Sequence, residues 1–187
     1  MDMSDKARGF TIVELLIVII VIGILAAISI VGYQGIQNRA KNAAFQSAIV
    51  ATEKGLRMYE VDHGGFPAPT DVNSGAPGTV VCVGEAADYP AHNDFTAGSC
   101  VSPLDSGSIV SPVVNAALKE YMNLPKVAQY ETRTSVFSAR GILYRYYNSH
   151  SVALSYLIEG DQTCGYGEKM YIEAYNATQC TTLVESV

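Results

Sequence analysis

From Phe10 to Val31 the chain reads FTIVELLIVIIVIGILAAISIV, 22 residues in which Glu14 is the only charge. At ~1.5 Å per residue this run is about 33 Å long as a helix, enough for a hydrocarbon core of ~30 Å. Lipid offers no partner to a bare N–H or C=O, so the run is expected to be helical. A core helix of a water-soluble protein would show a polar face, and none is present over this length. Nor does it read as a secretory signal peptide, whose apolar stretch is ~7–15 residues followed by a small-residue cleavage site. Here the break in composition precedes the run, at Gly9–Phe10, after the polar leader MDMSDKARG with its basic Lys6 and Arg8.

Beyond Gly35 the apolar positions become periodic. Phe45, Ile49, Thr52, Leu56 and Tyr59 recur at spacings of three and four, with Arg39, Lys41, Lys54, Arg57 and Glu60 between them. This predicts an amphipathic continuation of the same helix, ending near Asp62–His63, where Gly64, Gly65 and Pro67 stop it. Residues 64–110, rich in Gly, Pro, Ser and Asp, read as extended loop with one strand at Thr79–Val83. Ser111-Pro112 predicts the N-cap and first turn of a short helix running through Tyr121 and ending before Pro125. Ile142–Tyr147 and Val152–Ile158 alternate as strands around an Asn148-Ser149-His150 connection, and Tyr171–Ala174 is a third candidate strand. The expected fold is α+β: a long N-terminal helix, half membrane-spanning and half amphipathic, packed on an antiparallel sheet head.

The charges and cysteines refine this picture. Twelve Lys+Arg against 18 Asp+Glu give a net −6, so the chain lacks the basic stripe that phosphate binding needs, and no nucleic-acid partner is required. Positive charges are balanced on the two sides of the apolar run and do not set its orientation. Cys82, Cys100, Cys164 and Cys180 all follow it. Four cysteines imply two disulfides in an oxidising compartment, placing the C-terminal body outside and the leader in the cytoplasm. Of the three pairings, sequence proximity favours Cys82–Cys100 with Cys164–Cys180.

An ionisable residue within a membrane helix is a functional-site hypothesis by default, because leaving it unpaired costs several kcal/mol. Glu14 lies four residues after Phe10. The remaining titratable residues form no catalytic or metal constellation. His63, His92 and His150 are isolated, no C-x-x-C or H-E-x-x-H occurs, and Glu159 and Asp161 read as turn charges. Asn176-Ala177-Thr178 matches a glycosylation triplet. No enzyme activity, cofactor or metal is expected.

Gly9, Phe10, Thr11 and Glu14, followed by the unbroken apolar helix, resemble the signature of type IV pilins, a likeness covering Lys6 to about Pro67. The resemblance implies that a membrane-embedded prepilin peptidase cuts after Gly9 on the cytoplasmic side and N-methylates Phe10. It implies too that Glu14 is the assembly glutamate, and that an assembly platform extrudes the subunit into a homo-oligomeric helical filament. Many relatives carry a proline near position 31; this chain has Ile28-Ser29-Ile30-Val31-Gly32 instead, with Gly32 and Gly35 as the weak helix formers. A Cys164–Cys180 loop is similar to that of disulfide-looped pilins.

On that resemblance the chain divides into a cleaved leader (1–9), a transmembrane and filament-core helix (10–35), its amphipathic half (36–63) and a globular head with two disulfides (64–187). The protein starts in the cytoplasmic membrane as a single-pass anchor and moves to an extracellular pilus serving adhesion, motility or DNA uptake. Two alternatives stand beside this: a major pseudopilin of a type II secretion system, or a membrane-anchored binding module.

Overall fold

The computed structural model describes residues 11–92, 95–102, 108–133 and 138–186. Its longest element is helix α1, Ile12–His63. By spatial contacts the chain divides into a first unit ending at Ala40 and a second, Lys41–Val187. In the second unit the helix buries Phe45, Ala48, Ile49, Thr52 and Leu56, the face set by the three-and-four spacing. Each of the larger of these side chains contributes roughly 1.5–3 kcal/mol when fully withdrawn from water. Gly64 ends α1: its N–H reaches Glu60 O at 2.7 Å and its φ is +74°, a left-handed conformation that glycine adopts at little cost.

Five antiparallel strands lie against this face, in the order β1-β5-β6-β8-β7. They are β1 (Val80–Val83), β5 (Ile142–Asn148), β6 (Ser151–Glu159), β7 (Glu168–Ile172) and β8 (Ala177–Glu185). Val81, Tyr144, Val152, Leu154, Tyr156, Ile158, Cys180 and Val184 meet the helix in the main core. Phe45 stacks on Tyr156 with ring centroids 4.7 Å apart and planes 12° from parallel. The opposite face of the sheet contributes Cys82, Leu143, Leu157 and Ala177 to a second core. Beside it lies a three-stranded sheet, β2 (Val101–Ser102), β4 (Ser138–Arg140) and β3 (Glu131–Arg133), in the order β2-β4-β3.

The α+β architecture is as expected, and several local expectations are corrected. Helix α2 is Pro112–Lys119, with Ser111 Oγ accepting from the Val114 N–H at 3.1 Å; it stops short of Tyr121. The Tyr121 and Met122 N–H groups both return to Leu118 O. That tight turn lays Met122 on α1 at Gly55, where a Cβ would come within 2.7 Å of its sulfur. The third strand begins and ends earlier than Tyr171–Ala174, because Glu173–Tyr175 coil into a single turn ahead of Asn176 at φ +47°. The small sheet and β8 went unpredicted, and β8 is the strand that joins β7 to the rest.

Candidate functional site

Two regions carry the residues singled out from the sequence. In the first unit, the side chains of α1 between Ile12 and Ile28 stand in the open: Ile12 is 83% exposed, Leu15 63% and Ile28 67%. Ile12–Ser29 is the one described helical segment long and apolar enough to cross a membrane. Ser29 returns its hydroxyl to Leu25 O at 2.7 Å, so the helix itself satisfies this polar group, as an apolar medium requires. Continuous exposed hydrocarbon of this extent is stable only against lipid or other helices.

Glu14 sits at the start of that segment, where its carboxylate closes the first turn. Oε2 accepts from the Thr11 N–H at 2.9 Å and the Thr11 hydroxyl at 2.7 Å, while the Glu14 N–H donates to Thr11 Oγ1 at 3.2 Å. This is a capping box, with Thr11 as N-cap and Glu14 three residues on. From the sequence alone Glu14 reads only as a charge; the T-x-x-E spacing ahead of an apolar run is the signal for its capping role. Lys6, Arg8, Gly9 and Phe10 lie outside the described residues.

In the second unit the structure joins Cys82 to Cys100 and Cys164 to Cys180, with Cα separations of 5.8 and 5.6 Å. The first bond is fully buried and anchors β1 to the segment entering β2. The second ties the 160–167 loop to β8, and that loop is seated on α1. Asn42 Nδ2 donates to Thr163 O at 2.9 Å, and the Tyr166 hydroxyl donates to Glu53. Gly165 lies so close that a Cβ there would meet the Gln46 side-chain nitrogen at 1.9 Å, so a larger residue requires the Gln46 amide to swing aside. The carboxylate partner holds the Tyr166 phenol above its usual range.

Lys41, the first residue of this unit, is largely withdrawn from water. Its ammonium donates to Glu131 O at 2.7 Å and to Thr132 Oγ1 at 3.2 Å. Burial pulls its pKa down, against the opposing pull of Glu159 and Glu131. Arg140, missed by the sequence analysis, is 5% exposed and donates through Nε to Ser99 O at 2.9 Å, with its guanidinium 4.2 Å over the Phe95 ring. Both cations are used to hold chain segments rather than offered to a ligand.

The histidines are engaged locally. His63 stacks on Tyr59 at 4.0 Å, His92 faces Glu131 at 3.6 Å, and His150 Nδ1 lies 2.9 Å from Ser186 Oγ. Among the described residues, no group of three His, Cys, Asp or Glu side chains is arranged to hold a metal ion. Asn176 is exposed, but Thr178 of the same triplet is buried and bonded to Gly160 O and the Gln162 N–H.

Comparison with known proteins bears on the first region above all. Residues 4–30 match the model of the prokaryotic N-terminal methylation motif. Over 67 residues the chain is 39% identical to the type II secretion system core protein G of Escherichia coli K12, covering 36% of this chain and 46% of that relative. The Vibrio cholerae protein of the same name is 34% identical over 67 residues, with the same coverage of 36% and 46%. The prepilin peptidase-dependent protein D of Escherichia coli K12 is 34% identical over 73 residues, 39% of this chain and 50% of that relative. The match thus spans half or less of the length of these relatives. No solved structure matches. Residues 4–30 thus carry a prokaryotic N-terminal methylation motif, and the chain is similar over about a third of its length to secretion system core protein G.

Proposed function

From a pilin-like N-terminal segment on an α+β head, we propose that this chain is a structural, non-catalytic subunit of a filament drawn from the membrane, of the type II secretion pseudopilin kind. The observation that supports it is the long open hydrocarbon surface of α1, Ile12–Ser29, lying inside the residues 4–30 that match a methylation motif. A lipid anchor needs only the first; a subunit that exchanges lipid for the helices of its neighbours needs both. In this reading prepilin peptidase cuts between Gly9 and Phe10 and methylates the Phe10 amine. The leader, with Lys6 and Arg8, stays on the cytoplasmic side, and the head, with its two disulfides, folds outside. Glu14 then pairs with the amine of an adjacent subunit and sets the stagger. An assembly platform supplies the force.

From the sequence alone the type IV pilus is the first reading. The secretion system core proteins among the relatives favour the pseudopilus instead. The pilus remains the second reading, supported by the match to the prepilin peptidase-dependent protein.

N-terminal mass spectrometry of the native protein is the first test. It should find Phe10 first and carrying one methyl group; an intact Met1 in mature material would return the chain to the membrane-anchored binding module. Deleting the gene separates the other two. Loss of proteins from the culture medium with surface filaments intact supports the pseudopilus, and the reverse pattern the pilus.

A further inference from the structure

The second unit leaves two apolar strips uncovered, and their charges are opposite. On α1, Val50 and Met58 are 47% and 44% exposed with exposed Lys54 between them. At i, i+4 and i+8 they form one row on the face turned away from the sheet. The second strip is β7, which pairs with β8 alone and so leaves its other edge open. Its residues Glu168, Met170 and Ile172 share one face by the two-residue alternation; Glu168 and Met170 are exposed and Ile172 partly so. Such an edge, with Met170 54% exposed, is a template that proteins normally cover. Among the described residues, neither Lys54 nor Glu168 has an ion-pair partner; the neighbouring Lys169 is taken by Asp161.

We propose that β7 of one copy docks on the Val50–Lys54–Met58 row of the next, Glu168 against Lys54 and Met170 against Met58 or Val50. The spacings agree. Four helical residues advance about 6.0 Å and two strand residues about 6.7 Å, so one ion pair brings the adjacent apolar side chains together. Both strips are exposed in the same chain, so they do not meet within it. The contact joins two different surfaces. Each docking therefore leaves one free helix row and one free β7, so the association is head-to-tail, the class of contact from which open filaments, as well as closed rings, are built. This inference rests on the filament reading and adds the head contact that reading lacks.

The test uses the full chain in a host that assembles it, with a photo-crosslinking residue at Met58 and a second, epitope-tagged copy. Crosslinks should map to residues 168–172 of the tagged copy. The single variants K54E and E168K should each lower that yield about fivefold, the order expected for one exposed ion pair, and K54E/E168K together should restore it to within about twofold. Unchanged non-reducing electrophoretic mobility establishes that both disulfides still form. Crosslinks to another helix row, to lipid or to a different protein would overturn the docking, as would singles that behave like wild type or a double that is not restored. If wild-type filaments form in those cases, the filament reading stands without it; if no wild-type filament forms, both fall.

Discussion

Thr11 and Glu14 close on each other through three hydrogen bonds at the first turn of α1, at 2.7, 2.9 and 3.2 Å. The pair satisfies donors that a helix start leaves bare, and the carboxylate faces the positive end of the helix dipole. Glu14 therefore caps the helix, and a single deletion would confuse that role with the proposed pairing to a neighbour's amine.

Two variants separate them. Thr11→Val removes the cap and should cost about 1 kcal/mol of helix stability, seen in micelles as faster amide exchange at residues 13–15. Its charge at Glu14 is intact, so filaments should still form. Glu14→Gln keeps an acceptor at the third helical position, which a capping box tolerates, yet removes the charge. Exchange should stay near wild type while assembly fails. Assembly of Glu14→Gln at wild-type levels would leave the carboxylate with capping alone.

The Cys164–Cys180 bond does more than close a loop, since it presents Thr163 and Tyr166 to Asn42 and Glu53 of α1. With a sequence separation of 16, replacing both cysteines by serine should lower stability by about 3 kcal/mol on the loop-entropy model. In a head of this size the melting temperature should fall by roughly 6–12 °C, measured by circular dichroism of the full chain in detergent. Asn42 and Tyr166 amide and ring resonances should lose their dispersion at the same time. A smaller shift with the loop still seated would show that the polar contacts alone hold it.

Legibility in the sequence followed the strength of the local signal. Phe45, Ile49, Thr52 and Leu56 announced their helical face because apolar side chains recur there at three and four, and all four are buried. Ser111-Pro112 announced α2 because capping chemistry is local. β8 was not legible. Its inward residues are Thr178, Cys180, Thr182 and Val184, and three of the four are not conventionally apolar, so alternation is faint; only the β-branched content pointed to a strand. β3 and β4 are three residues each and exist through tertiary pairing. Arg140 illustrates the same limit, for its carbonyl and ring partners lie about 40 residues away in the chain.

A buried phenol helps hold the exit from α1. The Tyr144 hydroxyl, fully buried on β5, donates to Pro67 O at 2.8 Å. Tyr144→Phe preserves the ring and leaves that buried carbonyl without its donor, which should cost about 1–3 kcal/mol. Tyr147→Phe, on the same strand but exposed, should cost less than about 0.5 kcal/mol. Chemical denaturation of the two variants against wild type gives the comparison. Equal stabilities would mean that Pro67 O finds water once the hydroxyl is gone.

Three buried tyrosines set the alkaline limit of the fold. Burial raises the Tyr156 phenol to about 12 and holds Tyr89 and Tyr144 well above the ordinary value of 10. The folded chain thus keeps protons that the unfolded chain surrenders near pH 10. Their contribution to stability is whole below pH 10 and declines as pH rises toward the folded-state values. Each group adds a slope of about 1.4 kcal/mol per pH unit, so the three together approach 4 kcal/mol per unit between pH 10 and 12. Phenolate absorbance should therefore rise in two stages. The first stage leaves the near-ultraviolet dichroism of the head unchanged. The buried three then ionise together with the loss of that signal. Tyr156→Phe should flatten the slope by about one third. A single-stage titration that leaves the dichroism intact would show that water already reaches these phenols in the folded head, and that the main core beside Phe45 is more open than its 4.7 Å stack implies.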